Sequence, residues 1–263
     1  MNQIVGTHDL LWVVLDTLRY DVAKQELVAG RTPQLAALLP EGRWEKRQTP
    51  GNFTFAAHSA FFAGFLPTPA GPGPHPRLFA ARFPGSESTA PTTCVFDAPD
   101  LPSGLAARGY RTICVGGVGF FNLQSPLGEV LPGRFQEAHW SEELGVTDPR
   151  STEHQVALAR GLLAEQPERP TFLFLNVSAI HQPNGHYAQR DEDDRESHAA
   201  ALAYVDGALG PLFQAFRERP RPTFCVVTSD HGTLYGEDGL RGHRVNHPLV
   251  LTVPYADFVL ESA

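Results

Sequence analysis

Short apolar runs recur along the chain, each bounded by turn residues. They are rich in β-branched and aromatic residues, and they lack the alternation of a half-exposed strand. Such runs are typical of strands buried on both faces of a parallel sheet. The pattern predicts strands at residues 10–15, 92–96, 111–117, 171–178 and 222–229, with a late strand at 250–255.

Segments with apolar residues at helical spacing separate these strands. They predict helices at residues 32–39, 101–109, 151–166 and 196–216. The first of them opens with Thr32 and Pro33, a favourable pair for the start of a helix. Strands that alternate with helices indicate a layered α/β domain with a mostly parallel central sheet.

Residues 65–93 differ from the rest, because they are rich in Pro and Gly and show no periodic segment. Long ordered loops of this kind are often lids or binding elements. A plain surface excursion explains the composition equally well. No linker-like stretch divides the chain, so we expect one catalytic domain over residues 1–263.

Composition narrows the class of partner. The 263-residue chain has a formal net charge of −8 and no block of Lys and Arg, so nucleic acid is not an expected partner. No apolar stretch reaches about 18 residues, so we expect no membrane partner. The three widely spaced cysteines predict buried thiols and a cytoplasmic, reduced location. The oligomeric state stays open.

Two predicted strands end in residues that can bind a metal ion. Asp16 follows the first strand, and Asp230 and His231 follow the strand at 222–229. In an open parallel sheet, ligands bind beyond the carboxyl ends of the strands. A single Asp in such a place is more often a turn or helix cap. Two of them, one followed by His, make a divalent-metal site a comparable explanation.

Four segments in order resemble the alkaline phosphatase/sulfatase superfamily, and more narrowly a small cytoplasmic branch of sulfatase-like hydrolases. The segments are VVLDTLRYD with TPQLAALLP, TPGNFTFAAHSAFFAGFLP, AYVDGALG, and TSDHGTLYGEDGLRGHRVNHPLVLTVP. The resemblance implies an α/β fold of the alkaline phosphatase type, a three-layer sandwich around a mostly parallel sheet.

The resemblance also places Thr54 at the position of the nucleophile, counting back from Gly64 and Pro67. Threonine cannot become the formylglycine of sulfatases, and Thr17 stands where sulfatases carry a second Asp. These departures resemble the nucleotide pyrophosphatase, phosphoethanolamine transferase and lipoteichoic acid synthase branches. They imply phosphate mono- or diester chemistry through a phosphothreonine. Ser59 is the competing nucleophile.

The matched positions imply a full set of site residues. The implied metal ligands are Asp16, Thr54, Asp230, His231 and His243. The implied catalytic residues are Thr54, His58 and His181, and His243 and Asn52 are candidates for binding the substrate. Arg77, in the Pro/Gly-rich loop, is a further candidate for binding an anionic substrate. The histidines would also supply positive charge near the phosphoryl oxygens.

One divalent metal, Zn²⁺ or Mn²⁺, is the expected cofactor, since an Asp-His pair favours these ions over calcium. A second site is less well supported, because Val177 stands four residues before His181 and Asn176 is one step off. His247 remains open as a site residue.

We therefore expect a hydrolase or phosphotransferase that acts on a small anionic ester. A sulfatase or phosphonate hydrolase of the same fold is the alternative within the same chemistry. A degenerate binding module without catalysis is the alternative outside it.

Overall fold

The computed structural model of the protein describes residues 3–64, 77–79, 93–95 and 100–263. The strands are β1 Asp9–Leu15, β2 Glu45–Gln48, β3 Arg77–Phe79, β4 Thr93–Val95, β5 Arg111–Val115, β6 Glu137–His139, β7 Thr171–Val177, β8 Thr223–Thr228, β9 Leu234–Tyr235, β10 Arg241–Gly242 and β11 Thr252–Leu260. The α-helices are α1 Tyr20–Val28, α2 Pro33–Ala36, α3 Thr54–Ala63, α4 Leu101–Ala107, α5 Pro126–Val130, α6 Ser151–Glu165, α7 Arg195–Arg217 and α8 Pro248–Leu251.

Seven strands form the central sheet, in the order β2-β11-β8-β1-β7-β5-β6. The five strands from β8 to β6 pair in parallel, whereas β11 runs antiparallel to both β8 and β2. β1 therefore lies in the middle, between β7 and β8. The carboxyl ends of these three strands meet at one edge, which is where the sequence places its candidate metal ligands.

Helices cover both faces of the sheet. Leu11, Val13 and Leu15 of β1 pack into the larger core cluster, which includes residues of α1, α2, α6 and α7. Leu10 and Val14 point the other way and pack with residues of α3 and α4. Because successive side chains of a strand point to opposite faces, one buried strand feeds both cores. This arrangement confirms the predicted three-layer α/β sandwich with a mostly parallel central sheet.

Two predictions for residues 65–96 are wrong. The run at 92–96 does form a strand, β4, but it pairs in parallel with β3 and not with the central sheet. The prediction that it belongs to the central sheet is wrong. The prediction that residues 65–93 lack regular structure is also wrong at β3. The remaining residues of that loop lie outside the described part of the chain.

Helix α7 ties the sheet to the segment after the first strand. Its start carries a capping box, in which Asp194 and Ser197 satisfy each other's backbone N–H groups. Further along, the buried Asp206 accepts hydrogen bonds from the N–H groups of Gln34 and Leu35, at 3.0 and 2.8 Å. The Asp206 carboxylate of α7 thus binds the start of α2 and fixes this short helix against α7.

Within the described ranges, no helix combines the length and the apolar character needed to cross a membrane. Cys114 and Cys225 are buried free thiols, as predicted. Cys94 lies in β4, where only the strand itself is described. The assignment of residues 1–263 to one domain stays a prediction.

Candidate functional site

Adjacent central strands bring three predicted metal ligands together. Asp16 directly follows β1, and Asp230 and His231 follow β8, its hydrogen-bonded neighbour. All three side chains are fully buried. Each offers one ligand atom, and these atoms lie within 4.8 Å of one another. The spacing matches a site in which one divalent ion contacts two carboxylates and an imidazole.

The orientation of His231 favours a cation. Its Nδ1 donates to the carbonyl of Gly232 at 2.9 Å, so Nε2 carries the free lone pair. That nitrogen faces Oδ2 of Asp230 at 3.4 Å and Oδ1 of Asp16 at 4.0 Å. A lone pair directed at two carboxylates is repulsive unless a positive charge lies between them.

The carboxylates point to the same conclusion. Oδ1 of Asp16 and Oδ2 of Asp230 are buried, and neither has a hydrogen-bond partner within the described residues. Burial raises the pKa of Asp16 to about 6, with a further contribution from the charge of Asp230. Burial likewise raises the pKa of Asp230 to about 7. Because a bound cation would favour the ionised forms, the residues present fit a divalent metal.

Neighbouring groups orient each carboxylate. Asn176, at the end of β7, donates from Nδ2 to Oδ2 of Asp16 at 3.0 Å, and its Oδ1 accepts from the N–H of Val118 at 3.0 Å. Oδ1 of Asp230 accepts from the N–H groups of Thr17 and His231, at 3.2 and 3.0 Å. One oxygen of each carboxylate is therefore held by the protein, and the other is left free for a ligand.

Thr54 is the first residue of α3 and is 2% exposed. Its Oγ1 lies 3.3 Å from Nε2 of His231 and 3.5 Å from Oδ2 of Asp16. The first helical hydrogen bond runs from Ala57 N–H to the Phe53 carbonyl, at 3.1 Å. The N–H groups of the first helical turn before it are thus free of intrahelical partners. The hydroxyl and these N–H groups can face the same anion.

The structure excludes the competing hydroxyl from this cluster. Ser59 donates from its Oγ to the carbonyl of Phe55 at 2.7 Å, along its own helix. The residues that precede α3 pack closely against it. Gly51 allows this approach, because a methyl group at that position would lie 2.4 Å from the Ala57 nitrogen. Thr54 is consequently the hydroxyl that this turn presents to the carboxylates.

His58 occupies a different place from the one predicted. Its Nδ1 lies 2.8 Å from the carbonyl of Thr54 and 3.6 Å from Oδ2 of Asp230. Its ring packs against four phenylalanines, namely Phe61, Phe62, Phe121 and Phe174. The side chain is fully buried, and burial lowers its pKa to about 3. The prediction that His58 faces the substrate is corrected: this neutral ring supports the Thr54 turn from within the core.

Two further histidines lie beside the cluster. The ring centroid of His243 is 4.6 Å from that of His231 and 5.7 Å from that of His181. Nδ1 of His181 lies 2.6 Å from the carbonyl of Gln182, which leaves its Nε2 for other partners. Burial lowers the pKa of His243 to about 3, so this ring is neutral. His243, predicted as a metal ligand, thus adjoins the group formed by Asp16, Asp230 and His231 without belonging to it.

The remaining predicted residues have separate places. The carbonyl of Asn52 accepts from the N–H of Arg244 at 2.8 Å, which joins the start of the Thr54 turn to the loop that carries His243. Arg77 belongs to β3, and its side chain lies outside the described part of the structure. His247 caps α8 by accepting from the N–H of Leu249 at 3.1 Å, so it has a structural use.

One family model matches most of the chain. The model described as Sulfatase matches residues 8–252, a range that contains every site residue discussed above. No curated protein sequence matches the chain.

Solved structures with the same fold have low sequence identity. The lipoteichoic acid synthase LtaP from Listeria monocytogenes is 15% identical, with a TM-score of 0.64 over 95% of this chain. The soluble domain of lipooligosaccharide phosphoethanolamine transferase A from Neisseria meningitidis is 15% identical, with a TM-score of 0.62 over 97% of this chain and 77% of that one. An alkaline phosphatase superfamily protein from Vibrio parahaemolyticus is 18% identical, with a TM-score of 0.60 over 97% of this chain.

The chain is shorter than some of these proteins, since it spans 65% of LtaP and 60% of the Vibrio parahaemolyticus protein. The likeness confirms the alkaline phosphatase-like fold predicted from the sequence.

Proposed function

We propose that this chain, which belongs to the sulfatase family, is a metal-dependent enzyme that hydrolyses or transfers the phosphoryl group of a small anionic ester. One observation carries the proposal. The Thr54 hydroxyl lies 3.3 and 3.5 Å from two side chains of a buried group, made of Asp16, Asp230 and His231, that fits a divalent cation. A hydroxyl in this place is a candidate nucleophile.

The metal would be held by Asp16, Asp230 and His231, with Thr54 beside them. A Zn²⁺ or Mn²⁺ ion bound there would supply the positive charge that makes a hydroxyl more acidic and stabilises charge on a phosphoryl oxygen. The mixture of carboxylate and imidazole donors favours these ions over calcium, which prefers oxygen ligands alone.

The chain's own residues account for the covalent step. Thr54 Oγ1 forms a bond to phosphorus while the bond to the ester oxygen breaks, and the leaving alcohol takes that electron pair. Oδ2 of Asp16, which lies 3.5 Å from Oγ1, would accept the proton that the Thr54 hydroxyl loses. The free N–H groups of the first turn of α3 stabilise the non-bridging oxygens. Water or an acceptor alcohol then attacks phosphorus, the bond from phosphorus to Thr54 Oγ1 breaks, and the Thr54 hydroxyl is restored.

His181 is our candidate for protonating the leaving alcohol. Its Nδ1 is directed at a backbone carbonyl, so Nε2 is the nitrogen left to exchange a proton with a ligand. Its ring lies 5.7 Å from that of His243, which in turn lies 4.6 Å from that of His231, a proposed metal ligand. We also propose that the protein is cytoplasmic and that its substrate is a small molecule.

Phosphate is favoured over sulfate by the identity of the nucleophile. Threonine cannot be converted to formylglycine, and one similar structure is named as a phosphoethanolamine transferase. Burial keeps His58 and His243 neutral, so these two histidines do not supply the positive charge that the sequence predicts near the phosphoryl oxygens. A binding module without a metal would bury two carboxylate oxygens that have no hydrogen-bond partner among the described residues, which is unfavourable.

A substrate panel tests the proposal. Purified protein is loaded with Zn²⁺ or Mn²⁺, its metal content is measured, and aryl phosphate monoesters, aryl phosphate diesters and aryl sulfate are assayed in parallel. We expect bound metal and turnover of at least one phosphate ester. Bound metal with turnover of aryl sulfate alone would establish the sulfatase alternative, and the absence of both metal and turnover would favour the binding module.

A further inference from the structure

A closed ring of hydrogen bonds lies near the group formed by Asp16, Asp230 and His231. It joins four residues: Arg19, His198, Tyr235 and Glu237. The N–H of Arg19 donates to Nε2 of His198 at 3.3 Å, and Nδ1 of His198 donates to the Tyr235 hydroxyl at 2.9 Å. The N–H of Tyr235 donates to Oε2 of Glu237 at 2.7 Å, and the Arg19 guanidinium donates to Oε1 of the same carboxylate. Burial lowers the pKa of His198 to about 3, so the ring nitrogens take one donor and one acceptor role.

The ring connects the segments that carry the site. Arg19 stands three residues after Asp16, and Tyr235 stands four residues after His231. The Tyr235 hydroxyl also accepts from Nδ2 of Asn184 at 3.1 Å. The same amide donates to the carbonyl of Ile180 at 2.8 Å, the residue before His181. These hydrogen bonds therefore join the loops after β1, β7 and β8 to one another. His198 of α7 takes part in them, so the helix anchors the three loops.

Close packing joins the ring to Gly232, the residue that follows His231. A methyl group on Gly232 would lie 3.2 Å from Cγ of Arg19 and 2.0 Å from the carbonyl oxygen of Leu249. The Gly232 backbone thus packs closely against the Arg19 side chain and the Leu249 carbonyl, and its N–H donates to the carbonyl of Val250 at 2.8 Å. Its carbonyl is the group that accepts from Nδ1 of His231 at 2.9 Å and so directs Nε2 toward the carboxylates. Movement of Arg19 would release the backbone that orients His231.

Arginine is specifically suited to this position. Its side chain is almost fully buried, and it donates to both oxygens of Asp21 at 2.9 Å as well as to Glu237. The planar guanidinium can bind one carboxylate with two parallel hydrogen bonds and a second carboxylate with a third. The ammonium group of lysine has no such fork, so it cannot reproduce this geometry.

We infer that the ring of Arg19, His198, Tyr235 and Glu237 is a positioning network that sets the geometry of the metal centre, an inference that rests on the proposed function. None of its members belongs to the group of ligand atoms, so they act through Gly232 and the loops around it. Partners outside the ligand set commonly change metal affinity by about 10- to 100-fold.

The test compares Tyr235→Phe with the wild-type full-length protein. The substitution removes one oxygen atom and leaves His198 and Asn184 without their shared acceptor. Metal-stripped protein is titrated with Zn²⁺ and Mn²⁺ by calorimetry, and thermal unfolding is measured without metal. We expect metal affinity to fall by about tenfold or more. Glu237→Gln, which keeps one of the two acceptor oxygens and removes the charge, repeats the measurement if Tyr235→Phe does not fold.

Glu137→Gln is the matched control. Arg111 is also a buried arginine paired with carboxylates, and it contacts Glu137 at 2.6 Å at the amino end of β5, away from the metal ligands. This control should lose stability and keep its metal affinity.

Three results would overturn the inference. Tyr235→Phe could bind metal within threefold of wild type while wild type binds normally, which would leave the proposed function standing. The control could lose affinity equally, which would show a general effect of stability. Wild type could bind neither metal, which would remove the proposed function along with the network's role.

Discussion

Asn176 donates a hydrogen bond to Oδ2 of Asp16 across 3.0 Å, and so joins the ends of the neighbouring strands β7 and β1. It holds the oxygen that faces Thr54, and the other oxygen has no hydrogen-bond partner in the part of the chain that the structure describes. An amide can donate to a carboxylate without adding charge, so it orients Asp16 and keeps the negative charge available to a cation. Its role is that of a positioning residue.

We predict that Asn176→Ala weakens Zn²⁺ or Mn²⁺ binding by about 10- to 100-fold. The loss arises because Asp16 becomes free to rotate and because the Val118 N–H loses its acceptor. Calorimetric titration of metal-stripped protein measures it. Asn246→Ala, on an exposed loop residue, serves as the control. Unchanged affinity in Asn176→Ala would show that Asp16 does not depend on this bond.

Thr54→Ala should abolish turnover and leave metal binding nearly unchanged. Removing the nucleophile takes away a bond made only during the reaction, so the loss falls on kcat. Single-turnover and steady-state assays on the best ester measure it. Ser59→Ala is the matched control on the same helix, because its hydroxyl is already bound to the Phe55 carbonyl. Activity of Thr54→Ala within about tenfold of wild type would assign the attack to water.

Asp230→Asn should stabilise the metal-free protein while removing its metal binding. Burial raises the folded-state pKa of Asp230 to about 7, above its ordinary 3.8. The folded protein then binds the proton more tightly than the unfolded chain does, so the stabilising contribution is full at low pH and is lost as pH rises through about 7. Thermal unfolding of metal-stripped protein from pH 5 to 8.5 should show a shallower loss of stability in Asp230→Asn. Equal slopes would contradict a buried, uncompensated carboxylate.

Phosphate esters should exceed matched sulfate esters by at least about a hundredfold in kcat/KM, a difference of about 2.7 kcal/mol in barrier. A phosphate monoester carries roughly one more negative charge than a sulfate ester, and a divalent cation with free helix N–H groups favours the greater charge. Parallel assays on aryl phosphate and aryl sulfate with the same leaving group measure the ratio. Comparable rates would favour the sulfatase alternative.

Much of the fold could be predicted because burial on both faces of a strand leaves a direct record in the sequence. β1, β5, β7 and β8 are continuous apolar runs, and each was found in place. The edge strand β2 could not be found in this way, since its four residues are all exposed and polar. The run at 92–96 shows that an apolar pattern can predict a strand without identifying the strand with which it pairs.

The candidate site was predictable to a similar degree. Asp16, Asp230, His231 and Thr54 could be selected from strand ends and motif positions, and the structure brings them together. The sequence identifies Asn176 only as one position off a second metal motif, because spacing along the chain does not show that β7 lies beside β1. His58 lies one turn after Thr54, as helical spacing requires, but spacing cannot distinguish a pocket from a core of phenylalanine rings.

The position of β1 in the middle of the sheet has a consequence for how the protein opens. The residues at the ends of β7, β1 and β8 belong to hydrogen-bonded ladders flanked on both sides by further strands. Amide hydrogens in such ladders commonly exchange with solvent only when the whole domain unfolds. We therefore expect the backbone beneath the ligands to be among the slowest-exchanging parts of the molecule. A substrate would then enter and leave through movement of the more exposed loops, while the ends of β7, β1 and β8 beneath the site stay folded.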